Sequence, residues 1–169
     1  MPVRIATRDD AHAIARVHVT SWQTSYRGIV PEDLLAGLSV EKRALQWSGR
    51  FTSSSEKPPL LVAQSDDEIV GFSEYGASRD KDVPPNTMEL YAIYLLQDFQ
   101  RRGFGRGLWE ESLKEIRKAT ATAVRVWVLE DNTKARGVYE KMGFVYEGKS
   151  KEVSIGEVCL KELRYRFEV

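Results

Sequence analysis

The chain has one cysteine, Cys159, and two histidines, so it cannot close an internal disulfide and has little from which to build a thiolate or imidazole metal site. His12 and His18 stand six residues apart on one expected helix, a spacing that turns them to different faces. No metal is therefore expected, and His18, on the same face as Ile14 and Trp22, suits a packing role. Charge of one sign is lacking as well. The 25 Lys and Arg offset 25 Asp and Glu, which leaves no basic field to draw in nucleic acid. Apolar runs long enough to cross a bilayer are missing, and the start, MPVRIATRDD, has no apolar signal core. A cytoplasmic protein without a membrane partner is the expectation.

What is present is enough for a core: 42% of the residues are hydrophobic and 30% charged, far from the composition of a disordered chain. No linker, repeat or low-complexity stretch interrupts the sequence, so residues 1–169 are expected to form one domain.

Periodicity and punctuation divide the chain. A short strand over Val3 to Ala6 leads, through Thr7 or Asp9 as cap, into a helix to about Ser25 with a stripe of Ala11, Ile14, Ala15, His18 and Trp22. Pro31 opens a region of two short helices, Glu32 to Gly37 and Glu41 to Phe51, which SSSEKPP ends. Leu60 to Gln64 and Ile69 to Ser78 read as a hairpin around SDDE. After the loop RDKDVPP, a strand from Thr87 to Leu95 is apolar on both faces. A helix from Phe104 to Lys118 presents Leu108, Trp109, Leu113 and Ile116 on one face. Val124 to Leu129 is another apolar strand. Asn132 then caps a helix whose inner face is Ala135, Val138, Tyr139 and Met142, ended by Gly143. Phe144 to Glu152 and Val158 to Phe167 close the chain as a hairpin around Ile155-Gly156.

The densest information lies in MELYAIYLLQDFQRRGFGRG, Met88 to Gly107, where an apolar strand passes through a polar, glycine-bearing loop into a helix. Unpaired N–H groups at a helix start, at the positive end of its dipole, form a seat for an anion such as a pyrophosphate. Gly103, Gly105 and Gly107 do not fit G-x-G-x-x-G, because position 108 is Leu and residues 97–102 separate the glycines from the strand. Gly-Lys followed by Ser or Thr, the mark of a nucleotide-hydrolase loop, does not occur.

QRRGFG does match the acetyl-coenzyme A loop of the GCN5-related N-acetyltransferases (GNAT), with Gln100, Gly103 and Gly105 at its fixed positions. ELYAIYL before it, VRVWVLEDN and KARGVYEKMGF after it resemble that family's core in order and spacing, over residues 88–148 specifically. A proline that often follows the motif strand is replaced here by Leu96-Gln97-Asp98, which implies a less rigid loop. The resemblance implies an α/β (α+β) fold, with a central mixed, mostly antiparallel, twisted sheet of about seven strands, splayed between the fourth and fifth and flanked by about four helices. It also implies acetyl-CoA as co-substrate, no metal, and an amine of a small molecule or peptide as acceptor.

Residue by residue, the resemblance gives Gln100, Arg101, Arg102, Gly103, Phe104, Gly105 and Arg106 to the pyrophosphate, chiefly through backbone N–H groups. It gives the main chain of Ile93, Tyr94 and Leu95 to the pantetheine and the acetyl oxygen. Glu89, acidic on an apolar strand, is either the general base that deprotonates the amine or half of a structural ion pair. Tyr139, inward-facing, is either the acid that protonates the leaving thiolate or a packed core residue. A phenol near ~10 is a fair proton donor to a thiolate near ~8.5. Asn132 contacts the pantetheine arm or only caps its helix, and Arg136 reaches a phosphate or stays exposed.

On the acceptor side, Trp22 and Tyr26 adjoin the segment that walls the cleft in this family, and core packing is the competing reading for Trp22. Two functions remain open: an N-acetyltransferase, and a non-catalytic acyl-CoA-binding domain of the same fold. Glu89 and Tyr139 together favour the first. A homodimer through pairing of the terminal strand ELRYRFEV and a monomer both fit the sequence.

Overall fold

The computed structural model describes residues 2–52 and 59–169, so the expected break at SSSEKPP lies almost wholly outside the described residues. Seven strands make one sheet: β1 (Val3–Ile5), β2 (Leu61–Ser65), β3 (Glu68–Ala77), β4 (Thr87–Leu95), β5 (Ala123–Leu129), β6 (Val145–Ile155) and β7 (Val158–Glu168). Their order across the sheet is β1-β2-β3-β4-β5-β7-β6. Only β4 and β5 run parallel; every other neighbouring pair is antiparallel. The helices are α1 (Ala11–Ser25), α2 (Glu32–Ala36), α3 (Val40–Thr52), α4 (Phe104–Lys118) and α5 (Thr133–Lys141). Among the described residues these five flank the sheet, with α2 and α3 in the region read as two helices and separated by residues 37–39.

Period-two alternation sorts the apolar residues onto two faces. Leu61 and Ala63 of β2 pack with Leu108, Trp109, Leu113 and Ile116 of α4, the face the sequence predicts for that helix. Their neighbours Leu60 and Val62 turn the other way, against Ile14, Ala15 and Val17 of α1 and Trp47 of α3. Asp10 fastens the α1 side. It accepts two hydrogen bonds from Arg4 at 2.7 and 2.8 Å and one from the Thr7 backbone at 2.7 Å. The bonds from Arg4 hold the Asp10 carboxyl down at about 2.

Two irregularities of β4 open the sheet at its centre. A bulge falls at Tyr91: Glu74 of β3 faces Ala92, whereas Tyr75 faces Leu90. Strict alternation would put Leu90, Ala92 and Tyr94 on one face. The extra residue instead leaves Leu90 with α4 and moves Ala92 and Tyr94 to the α1 side. The second irregularity is that β4 pairs with β5 only from Thr87 to Glu89. Beyond Glu89 the strands part, while β4 stays bonded to β3 as far as Leu95 and β5 to β7 as far as Leu129.

Two expectations are corrected. β7 lies between β5 and β6 and is bonded on both sides as far as Arg166, so ELRYRFEV is not the edge strand that pairing across a dimer needs; β6 is the outer strand. Val138 is 47% exposed, because the inward stripe of α5 runs through Ala135, Tyr139 and Met142, and Val138, one residue before Tyr139, is turned about 100° away from it.

His18 is packed among the rings of Trp22, Trp47, Phe72 and Tyr94, all within 5.9 Å, and its buried Nδ1 has no hydrogen-bond partner among the described residues. Burial, helped by the charge of Arg43, pushes the imidazole down from 6.5 to about 4. The unfolded chain therefore takes up a proton at higher pH than the native one. Stability should fall as pH drops from about 6.5 to about 4 and level off below that, by on the order of 3 kcal/mol for this one group. Denaturant melts across this range should show the loss in the wild type and a flatter profile in His18→Phe.

Candidate active site

Where β4 and β5 separate, a cavity of about 340 Å³ opens. Its floor is Tyr91 to Tyr94 on one side and Trp127 to Leu129 on the other. Asn132, Ala135 and Tyr139 of α5 and its cap close one wall, and Trp22, Ser25 and Tyr26 of α1 and its end close another. Val153, Ile155 and Glu162 complete it from β6 and β7. A second depression of about 440 Å³, along Gly143 to Glu147 and Arg166 to Glu168, touches none of the candidate residues.

The loop beyond β4 is built from backbone conformation. Leu96 bonds back to Val70 at 2.9 Å, and a single 3-10 turn at Gln97–Phe99 carries two main-chain bonds of its own, Phe99 to Leu96 and Gln100 to Gln97. The missing proline is thus replaced by a hydrogen-bonded turn. Arg101 (φ 59°) and Gly103 (φ 91°) then adopt left-handed conformations. Gly103 is the N-cap of α4 and has no side chain to cap with, so the first amides of α4 are left for an outside acceptor. Alternating hands of this kind turn successive N–H groups into one concavity, the shape of an anion nest. A side chain on Gly105 would meet no protein atom within 4 Å, which marks the space above the helix start as open.

The arginines around this nest divide. Arg101 and Arg102 are exposed, Arg102 lying 5.4 Å from the Phe99 ring centre. Arg106 pairs with Glu110 at 2.7 Å on the surface. Phe104 turns inward against Phe99 and anchors the helix start. Gln100 reaches the Leu95 carbonyl at 3.4 Å. Arg136 is turned to the sheet, donating to the Tyr165 hydroxyl and the Glu130 carbonyl, both at 3.0 Å.

Of the strand residues, Ile93 and Tyr94 line the cavity, while the Leu95 side chain packs toward α4. Asn132 does cap α5, its Oδ1 accepting from Ala135 N at 3.1 Å, and it also lines the cavity while 7% exposed. Tyr139 is buried against Phe144 and borders the cavity. Burial pushes its phenol up, with Tyr94 adding to the effect, so the hydroxyl is protonated across the physiological range.

Trp22 and Tyr26 share one target. The Trp22 indole donates to the Tyr94 hydroxyl at 3.0 Å, and the Tyr26 hydroxyl is 3.3 Å from it. Their rings meet edge to face at 4.9 Å. They wall the cavity and pack at once. Tyr94 is the hub of this side, a role for its side chain that sequence reasoning missed, because the bulge that turns it toward α1 is invisible without the β3 register.

Glu89 is 1% exposed and lies just below the point of separation. Arg79 covers it: its backbone N–H donates to Oε2 at 3.0 Å and its guanidinium to Oε1. The same guanidinium sits 4.5 Å from the Tyr91 ring centre, and the Tyr91 hydroxyl donates to the Ala77 carbonyl at 2.6 Å. Glu89 itself is not among the residues that line the cavity. Arg79 sits in the segment that reads only as a loop in sequence.

The architecture agrees with what is found in known proteins. The acetyltransferase (GNAT) family model matches residues 19–144. The uncharacterized N-acetyltransferase YuaI of Bacillus subtilis (strain 168) is 35% identical over 77% of this chain and 72% of its own. The PaiA N-acetyltransferase of Thermoplasma acidophilum, solved in complex with coenzyme A, superposes with a TM-score of 0.76 at 22% identity, over 99% of this chain and 98% of that one. YncA of Salmonella typhimurium, solved with its cofactor acetyl-CoA, gives 0.72 at 17% identity over 99% and 93%. The chain belongs to the GNAT acetyltransferase family.

Proposed function

We propose that this protein is a cytoplasmic enzyme that transfers the acetyl group of acetyl-CoA to a primary amine of a small molecule or peptide, by direct attack in a ternary complex. The observation that carries this reading is the gap between β4 and β5, with an anion nest at one end and a proton-bearing tyrosine on its wall. Acetyl-CoA supplies a thioester carbonyl and a thiolate leaving group, and the two solved relatives with coenzyme A or acetyl-CoA bound support it as the donor.

Each part of the gap answers one requirement of that chemistry. Backbone N–H groups from Gln100 to Arg106 bind the pyrophosphate, with the exposed Arg101 and Arg102 adding charge. β4 beyond Glu89 has lost its β5 partner, so its free edge at Ile93 to Leu95 bonds the pantetheine as a strand would, and one N–H there polarises the acetyl oxygen. Asn132 holds the arm where α5 begins. Arg136, bonded to Tyr165 and Glu130, acts on the cofactor by fixing that same helix rather than by a free guanidinium. Tyr139 delivers its proton to the departing sulfur and regains one from the amine's side. Glu89, held in place by Arg79, takes the other proton, the one that the acceptor loses as an ammonium before it attacks. Trp22 and Tyr26 bound the acceptor side through the Tyr94 hydroxyl.

Turnover is tested by thiol release across a panel of amines. Tight coenzyme A binding with no amine turned over would make the protein a non-catalytic acyl-CoA-binding domain. Tyr139→Phe should lower kcat about tenfold or more with coenzyme A affinity unchanged, and an unaltered kcat would remove Tyr139 from the acid role. Glu89→Gln should depress the rate most at lower pH, where unprotonated amine is scarce; a wild-type pH profile would leave Glu89 a structural ion pair. Gly105→Val should weaken coenzyme A binding about tenfold by titration calorimetry, with the fold intact because its Cβ meets no protein atom.

A further inference from the structure

The cavity is aromatic on several sides, and among the described residues Glu162 is the one charged side chain that lines it. Glu162 projects from β7, where its Cα pairs with Leu129 of β5 and with Lys151 of β6. The corner it shares with Trp127 already holds an ammonium. The Lys151 Nζ lies 4.0 Å from the centre of the Trp127 ring and 3.4 Å from the Glu162 carboxylate. A π face and a carboxylate converging on one ammonium is the arrangement that recognises alkylammonium ions in general.

From this we infer that Glu162, with Trp127, receives the ammonium form of the acceptor, and that the acceptor is a cationic amine with no carboxylate beside its amino group. The inference rests on the acyl-transfer reading above and extends it to the substrate class. Glu162 is a binding residue here, not the base. The incoming ammonium displaces Lys151, whose side chain is 44% exposed and swings to solvent at little cost.

The exclusion of a neighbouring carboxylate follows from the charges around the cavity. Besides Lys151, two guanidinium groups lie against rings that line the cavity without lining it themselves, Arg79 4.5 Å from the Tyr91 ring centre and Arg164 5.4 Å from that of Trp127. Arg79 is bonded to Glu89, and Arg164 to Asp80 and Asp82. A third, Arg43 of α3, acts on the Tyr94 hydroxyl by charge and is bonded to Gln46. A carboxylate on the ligand would face Glu162, and each of these cations is already engaged elsewhere. The apolar body of the amine fits the walls instead, against Trp22, Tyr26 and Ile155.

Phenethylamine and phenylalanine differ by that one carboxylate and serve as probes. With coenzyme A present, calorimetry should show phenethylamine binding to the wild type, about tenfold weaker binding to Glu162→Gln, and tighter binding to Lys151→Met, which removes the competing ammonium. Phenylalanine should bind at least about thirtyfold more weakly than phenethylamine to the wild type, and the gap should narrow in Glu162→Gln. In the thiol-release assay Glu162→Gln should raise KM for phenethylamine with kcat within about threefold and coenzyme A affinity unchanged. Equal affinity of Glu162→Gln and wild type for phenethylamine would overturn the inference. So would Lys151→Met weakening it as much as Glu162→Gln does, which would make the pair structural, or phenylalanine binding as well as phenethylamine. Binding without turnover in the wild type would sink the acyl-transfer reading and leave the ammonium site standing.

Discussion

The structure turns on how little of β4 is joined to β5. A parallel ladder normally continues for the length of the shorter strand, because each unpaired N–H and C=O left in the interior costs about as much as a lost hydrogen bond. Here it stops after Glu89. The strands stay rigid beyond that point because each keeps its other neighbour, β3 for β4 and β7 for β5. The gap is therefore a fixed feature of the sheet. Its free strand edges need partners, and a ligand with alternating amide groups can supply them.

The closed end of the gap is held by charge. Besides Glu89 with Arg79, Arg125 of β5 bonds Glu147 at 3.1 Å, and Arg164 of β7 bonds Asp82 at 2.6 and 3.0 Å and Asp80 at 3.1 Å. Asp80 also accepts from the Trp127 indole at 3.0 Å. Arg125 and Arg164 are 6% and 3% exposed. Guanidinium groups so buried gain little net stability from their partners, since desolvation offsets most of the Coulomb attraction. What they add is position. The segment carrying Asp80 and Asp82 is tied to β5 and β7 near where β4 and β5 begin to diverge, and Arg79 beside it is thereby set over Glu89.

The parts legible in the sequence were those written in local spacing. The α4 face, the capping Asn132, the hairpins and the glycine loop all depend on residues within a turn or two of each other, and the fold places them as read. The rest depended on register between distant segments. Tyr94 turns toward α1 only because Tyr91 is bulged against β3. β7 is interior because it inserts between β5 and β6, an order that no hairpin signal contains. Glu162 comes to line the cavity through its pairing with Leu129, 33 residues away, and Arg79 reaches Glu89 from a loop with no periodic signal. Even Val138, one step off the α5 stripe, is exposed because a single residue turns it about 100° from Tyr139.

The cavity also separates what can vary from what cannot. The loop beyond β4 and the gap beside it present main chain: a left-handed glycine, the amides of a helix start and an unpaired strand edge. Such a seat constrains backbone shape and tolerates many side chains. The cavity wall opposite β4 is made of side chains from α1, β5, β6 and β7, which share no local sequence and meet only across the sheet. Exchanging Trp22, Trp127 or Glu162 would reshape the cavity and leave the loop backbone untouched, because none of them belongs to the loop or the α4 start. A fold arranged in this way can change the walls of its cavity without rebuilding the loop that marks its family, so the same family fold can serve different ligands.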